Sequence, residues 1–344
     1  ASLLTSEVDK GTTSFAGNFD GTLAEPIYLP AQVPLLLMNG AAGIAVGMPT
    51  DIPPHNMTEV IEAACLVIKK GTWAKDHESG RQTLTSTASL DDVMQILPAP
   101  DYPTGAGIIS TPAEIRDAYE TGQGKIRARC KWDVEDKDTI VISQVPHKAS
   151  PAKIIAQIAA LMNEKKLNGV DDVMDESDQD EPVRIAVKFR PRTTSAERVM
   201  ALLCKNTDCE KSYKVNMHAI STIGEPKLYS LMEYLTEWSS WRLATTQRRL
   251  NHRLRNVEER LHILQALIDI YVHIDDVIRI IRNADDPKTD LMHAFNIDQA
   301  QADAVLSIRL RALAKLEFIK LETERAALSD EREGLQAMLS SEEN

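Results

Sequence analysis

The sequence predicts an α+β fold, an α/β region followed by a long antiparallel coiled coil with a small helical end. Three observations predict it. Runs with strand and helix periodicity alternate from residue 40 to residue 220. From Leu228 onward the pattern is helical alone. Within it Leu250, Leu254, Val257, Leu261, Leu264, Ile268 and Tyr271 step by four and three residues, the spacing of a heptad seam. A second long helical run, residues 315–339, carries Leu321, Leu328 and Leu335 at sevens. Arg325 and Arg332 take its alternate seam positions, so this seam is weaker. Short helices over residues 274–282, 288–295 and 298–310 join the two. A plain helical bundle is the alternative, and heptads alone do not separate it from a coiled coil.

The remaining elements follow in order. Residues 1–10 read as the end of a helix, and the chain opens on Ala1 rather than Met, as expected of a piece of a longer protein. Residues 11–30 form a loop with Asn18-Phe19-Asp20-Gly21-Thr22 as its turn signal. Residues 58–70 have helical periodicity, and Gly71 stops them. Residues 71–90 are polar and read as a variable connection. A short helix over 91–97 and a strand at Ile108-Ile109 precede a helix opened by Thr111, with Pro112 and Glu114 in its first turn. Two β-rich runs, 125–132 and 139–145, lead to a helix from Ser150-Pro151 to about Lys166. A strand over 183–189, a helix over 195–204 and a strand over 213–220 complete the region. The acidic run 171–181 fails as a calcium loop, because its Gly and terminal Glu are misplaced, and reads as a solvated turn.

Composition narrows the function classes. A chain of 344 residues suggests two or three domains. The formal net charge of −12 argues against a generally basic nucleic-acid binder but leaves room for a local basic face. Cys65, Cys130, Cys204 and Cys209 show neither a C-x-x-C pair nor metal-ligand spacing, so free thiols in a reducing compartment and no metal site are expected. No signal peptide and no apolar run of membrane-spanning length is visible, which fits a cytoplasmic location without a membrane span.

Residues 39–56, NGAAGIAVGMPTDIPPHN, are the densest in glycine and proline. Gly40, Gly43 and Gly47 permit positive φ and close backbone approach, while Pro49, Pro53 and Pro54 fix φ. The stretch lacks both glycine-rich phosphate signatures, and no Lys lies between Lys10 and Lys69, so a nucleotide cradle is disfavoured. A buried connection and a rigid loop holding Ile44 and Val46 at or near its tip are both open. Positive charge is clustered. Lys125, Arg127, Arg129 and Lys131 alternate along one predicted strand and share a face. A second group, Arg184, Lys188, Arg190 and Arg192, surrounds Phe189. Each single cation suits a solvated face, but four on one strand face suit a polyanion track.

The run GIAVGMPTDIPPHN resembles, without a gap, a block of the A subunits of type IIA DNA topoisomerases, the family of gyrase and topoisomerase IV. Pro49 stands where that family usually has Ala. NFDGT, LPAQVP, the DESD turn, residues 261–292 and RALAKLEF extend the resemblance over nearly the whole chain, and the later segments are more similar to the topoisomerase IV branch than to gyrase. The resemblance implies an ATP-dependent parent enzyme that passes one DNA duplex through a transient double-strand break in another, relaxing supercoils and decatenating. It implies that residues 1–30 connect from a winged-helix domain, that 31–222 form a tower domain with a DNA-wedge loop, and that 223–344 form a coiled coil. The globular end of that coiled coil, about residues 272–312, would close a homodimer gate.

By the same resemblance Ile44 wedges between base pairs. Asn39, Gly43, His55 and Asn56 join Lys125, Arg127, Arg129 and Lys131 as DNA-binding candidates. No catalytic residue is expected, because the family's cutting tyrosine lies in an A-M-R-Y-T-E motif upstream of the position matching Ala1. Nor does the resemblance extend to the family's C-terminal β-propeller, which is expected to lie beyond these residues. No cofactor is expected either: Mg²⁺ and ATP belong to the partner B subunit (ParE) of an A2B2 complex on the nucleoid. A gyrase A piece and a non-catalytic coiled-coil dimerisation scaffold are the alternatives.

Overall fold

The computed structural model describes residues 1–45, 47–75, 82–308 and 315–340. Its fold is α+β. The chain divides into two compact units, Ala31–Arg242 on one hand and Ala1–Pro30 with Leu243–Asn344 on the other. This differs from the expected division at both ends. Residues 1–30 belong with the helical part, and residues 223–242 belong with the sheets. The second difference has a packing cause. Tyr229, Leu231 and Leu235 are buried in one core with Leu37, Val60, Val67 and Tyr119.

The larger unit is built on two sheets, whose strands are numbered here in chain order. They are β1 (Ala41–Ala45), β2 (Met48–Ile52), β3 (Gly107–Ile108), β4 (Gln123–Arg129), β5 (Lys131–Asp136), β6 (Thr139–Gln144), β7 (Val170–Asp175), β8 (Ile185–Phe189) and β9 (Glu210–Asn216). The first sheet has the order β1-β2-β9-β4-β3 and the second β7-β8-β6-β5. All these pairings are antiparallel. The chain leaves the first sheet after β4, builds the whole second sheet, and returns at β9. Residues 131–208 are thus an insert with its own core, formed by Ile140, Ile142, Ile154, Ile158, Val187 and Leu203.

The expected single strand over 125–132 therefore breaks at Cys130. There the backbone N–H of Cys130 donates to the Cys209 carbonyl at 2.7 Å, and Lys131 starts β5 in the other sheet. Helix starts follow their caps. Asn56 accepts from the amides of Thr58 and Glu59 at the start of Met57–Lys69. Thr111 and Glu114 form a reciprocal capping box at the start of Pro112–Thr121. Ser150 and Ser195 cap Pro151–Asn163 and Ala196–Asn206. The polar stretch after Gly71 is not a plain connection, because Gly71–Lys75 pairs with Gln82–Ser86 around a buried Leu84.

In the smaller unit the turn at Asn18 joins a short hairpin, Phe15–Gly17 with Ala24–Pro26. The helix Leu231–Val272 contributes its later turns to this unit, opposite the helix Lys315–Ser340. Arg253 pairs with Glu331 and Arg260 with Glu324. Seven residues forward on one helix thus meet seven back on the other, so the pair is antiparallel. Tyr271 stacks on Phe318 with centroids 4.3 Å apart. Helices Ile274–Asn283, Pro287–Phe295 and Gln299–Leu306 enclose a small core of Ile270, Val277, Leu291 and Val305. The end of the predicted helix 298–310 and the RALA half of RALAKLEF lie outside the described residues.

Candidate nucleic-acid interface

The glycine- and proline-rich stretch folds into a hairpin at the edge of the first sheet. Ala41 to Ala45 pair with Ile52 to Met48, which leaves two residues for the turn. One is Gly47, at φ +76°. The other, Val46, lies outside the described residues. At the base, Gly40 has φ +68°, and a Cβ there would come within 2.5 Å of the Ile52 carbonyl oxygen. Only glycine fits that crossing, so this residue sets where the hairpin leaves the core.

The base is anchored from several sides. Ile52 is buried, Thr50 donates its hydroxyl proton to the His218 carbonyl at 3.0 Å, and Asn216 donates to the Pro49 carbonyl at 2.7 Å. His55 is buried directly beneath. Its Nδ1 lies 3.0 Å from the Leu37 carbonyl, which can only accept, so Nδ1 carries the proton. Its Nε2 then accepts from the Tyr119 hydroxyl at 3.0 Å. Burial pushes its pKa down to about 4, so the ring is neutral at physiological pH.

Held on this base, Ile44 is 91% exposed. Burying an isoleucine side chain is worth roughly 1.5–3 kcal/mol, and the chain forgoes that stabilisation here. The pleat decides what shares its face. Ile44 is opposite Pro49, Asp51 is opposite Asn216, and Lys214 and Ser212 are opposite Lys125 and Arg127. Directly opposed residues lie on one side of a sheet, as do residues two apart along a strand. Ile44, Asn216, Lys214, Lys125, Arg127 and Arg129 are therefore on the same face. Ile126, Ala128 and Val215 point into the core on the other.

The cations on this face are not equivalent. Arg129 is engaged twice by Glu210, at 2.9 and 2.8 Å, a contact that also raises its pKa. Arg127 reaches Glu114 at 3.5 Å. Lys125 and Lys214 are exposed, with no ion pair among the described residues. Lys214 and Asn216 were not singled out in the sequence. The alternation of Ser212, Lys214 and Asn216 with Tyr213 and Val215 was the available signal.

Three expectations need correction. Lys131 does not continue the row of Lys125, Arg127 and Arg129, because it belongs to β5 in the second sheet. His55 is a buried structural residue with both ring nitrogens engaged inside the protein. Asn56 spends its side-chain oxygen on a helix cap and lies 3.4 Å from Asp101 through its amide nitrogen. Of the other hairpin candidates, Asn39 and Gly43 are exposed, and a Cβ added at Gly43 meets nothing within 4 Å. In the second basic group Arg184 is enclosed by Glu135, Glu176 and Glu181, and Arg190 pairs with Asp171. No cluster of residues able to hold a metal is present among the described residues. Nor is any described helix long and apolar enough to cross a membrane.

An aliphatic side chain held in water by a sheet hairpin, on the same face as exposed lysines, can meet a molecule that is anionic outside and stacked inside. With that geometry in place, comparison gives the class: the chain belongs to the family of DNA gyrase and topoisomerase IV A subunits, whose model matches residues 1–344. Among individual relatives it is similar to the DNA topoisomerase 4 A subunit of Haemophilus influenzae, 47% identical over 340 residues. It is 46% identical to that of Escherichia coli K12 and 42% identical to that of Pseudomonas aeruginosa. In each case the alignment covers 99% of this chain and 43% of the relative, so the chain spans less than half the length of the proteins it matches.

Proposed function

We propose that this chain is the DNA-bending and dimer-forming part of the A subunit of a type IIA topoisomerase of the topoisomerase IV kind. The observation that carries the reading is Ile44, 91% exposed on a hairpin that is bonded into a sheet rather than left as a loop. Inserting a side chain between base pairs costs on the order of a few kcal/mol of stacking. A wedge that is already rigid loses little further entropy on insertion, and its branched Cβ restricts χ1. Lys125 and Lys214, on the same face and without an ion pair among the described residues, would hold the phosphates of the bent flank. Arg127 and Arg129 would join them by exchanging their carboxylate partners for phosphate.

In this reading the two-sheet unit is the tower domain, and the antiparallel helix pair is the coiled coil. The short helices supply the dimer contact. Val272, Ile278, Ile281 and Leu306 are exposed there, outside the small core that the same helices enclose. A second copy of the chain would cover them. The parent enzyme would pass one duplex through another, with ATP and Mg²⁺ handled by the B subunit (ParE) in an A2B2 complex, in the cytoplasm on the nucleoid. The relatives' topoisomerase 4 names favour this kind over gyrase.

Fluorescence anisotropy of a labelled duplex, titrated at several salt concentrations from roughly 50 to 200 mM, tests the reading. A DNA-binding face gives an affinity that falls linearly on a log–log plot as counterions are released. A dimerisation scaffold gives no binding at any salt.

A further inference from the structure

We propose that Cys130, Cys204 and Cys209 form a redox-responsive thiol centre whose oxidation product, a Cys130–Cys209 disulfide, staples the neck of the 131–208 insert. The topology makes the case first. The insert leaves the first sheet immediately after β4 and returns immediately before β9. Arg129 opposes Glu210 in that antiparallel pair, so one step further Cys130 opposes Cys209. The 2.7 Å bond from the Cys130 amide to the Cys209 carbonyl extends the pairing through this step. The return bond is not made, because the Cys209 amide donates to the Thr207 hydroxyl at 3.2 Å. Directly opposed antiparallel residues nonetheless hold their Cα atoms about 4.5–5.5 Å apart, inside the window of about 4.4–6.8 Å that disulfides span. The entry and exit of a whole subdomain therefore carry opposed thiols.

The third thiol supplies access. Cys130 and Cys209 are buried, whereas Cys204, on the helix Ala196–Asn206, is partly exposed. Cys130 and Cys209 lie in one buried cluster, and Cys204 packs against that same cluster. The hydrogen bond from Cys130 and the nearby Arg129 charge favour the Cys204 thiolate. Cys65 is exposed on a different helix, which makes it an internal control.

The chemistry balances with hydrogen peroxide as oxidant. The Cys204 thiolate attacks a peroxide oxygen and the O–O bond breaks, leaving a sulfenic acid and a hydroxide that is protonated to water. The Cys130 thiol gives up its proton and its sulfur attacks the Cys204 sulfur. The S–O bond breaks and a second water leaves. The Cys209 thiolate then attacks Cys130, releasing Cys204 as thiolate. Two thiols lose two electrons and two protons, and one peroxide becomes two waters.

The test oxidises the full 344-residue chain with hydrogen peroxide, blocks remaining thiols with iodoacetamide, and maps peptides by mass. A linked Cys130–Cys209 peptide is expected, reversed by dithiothreitol, with a melting temperature raised by about 5 °C or more. Cys204→Ala should slow its formation, Cys65→Ala should not, and Cys130→Ala should abolish it. Should Cys130→Ala fail to fold, Cys209→Ala gives the same reading. Blocked thiols at all three of Cys130, Cys204 and Cys209 after treatment that oxidises Cys65, or a stable link joining only Cys130 to Cys204, would overturn the proposal.

Discussion

Replacing Ile44 with alanine separates two roles that the same residue type fills elsewhere. A core isoleucine cut to alanine costs roughly 2–5 kcal/mol of stability. Ile44 is 91% exposed, so its truncation should stay within about 0.5 kcal/mol, a melting shift of a degree or two at most. The effect on DNA should be much larger. The substitution removes the distal carbons that would lie in the opened base step, worth ~0.8 kcal/mol for each carbon buried. A loss of about 2 kcal/mol follows, or roughly 30-fold in affinity for a bendable duplex. Energy transfer between dyes at the two DNA ends should also report a straighter bound duplex. Circular dichroism supplies the melting temperature. If the variant melts several degrees lower and bends DNA normally, Ile44 is a packing residue and the wedge assignment fails.

Other consequences are sharp enough to measure. Lys125→Ala and Lys214→Ala should each lower the slope of log affinity against log salt by about one, whereas Lys131→Ala, in the other sheet, should leave it unchanged. His55 titrates near 4 when folded and near 6.5 when unfolded. Below pH 6.5 the unfolded chain takes up a proton that the buried ring refuses. The contribution is therefore complete at neutral pH and is lost as pH falls through that window, by up to about 3 kcal/mol. Urea midpoints of wild type and His55→Gln should differ most at about pH 7 and converge by about pH 4; a constant difference would contradict the burial assignment. Sedimentation at micromolar concentration should give a dimer, and Ile278→Glu with Ile281→Glu should give a folded monomer. A wild-type monomer would remove the role proposed for that exposed apolar surface.

Much of this architecture was legible because it is local. Thr111 with Glu114 announces a helix start through two reciprocal hydrogen bonds, and Ser150-Pro151 does so through a cap and a preset φ. The heptad steps of Leu250 to Tyr271 likewise need only one helix. The change of sheet at Cys130 was not legible. Period-two alternation continues through Arg129 and Lys131, and nothing local reveals that the partner strand changes from β9 to β6. Site residues divide in the same way. Hydropathy places Ile44 in a core, the glycines and prolines around it also allowed a loop tip, and the resemblance favoured the tip. His55 sits in a polar-looking PPHN run, but its partners Leu37 and Tyr119 arrive from distant positions and close over it. Asn216 supports the hairpin from 167 residues away, a distance that no local pattern spans.

Entry of Ile44 into the base stack is read most directly with 2-aminopurine, a base analogue that brightens when unstacked. Placed at successive steps along a bound duplex, it should brighten at one step per protomer and stay quenched elsewhere. With Ile44→Ala the bright step should vanish while anisotropy still reports bound DNA. Saturated complexes in which every step stays as quenched as in free duplex would show that the chain binds without a wedge, and would contradict the function proposed for the hairpin.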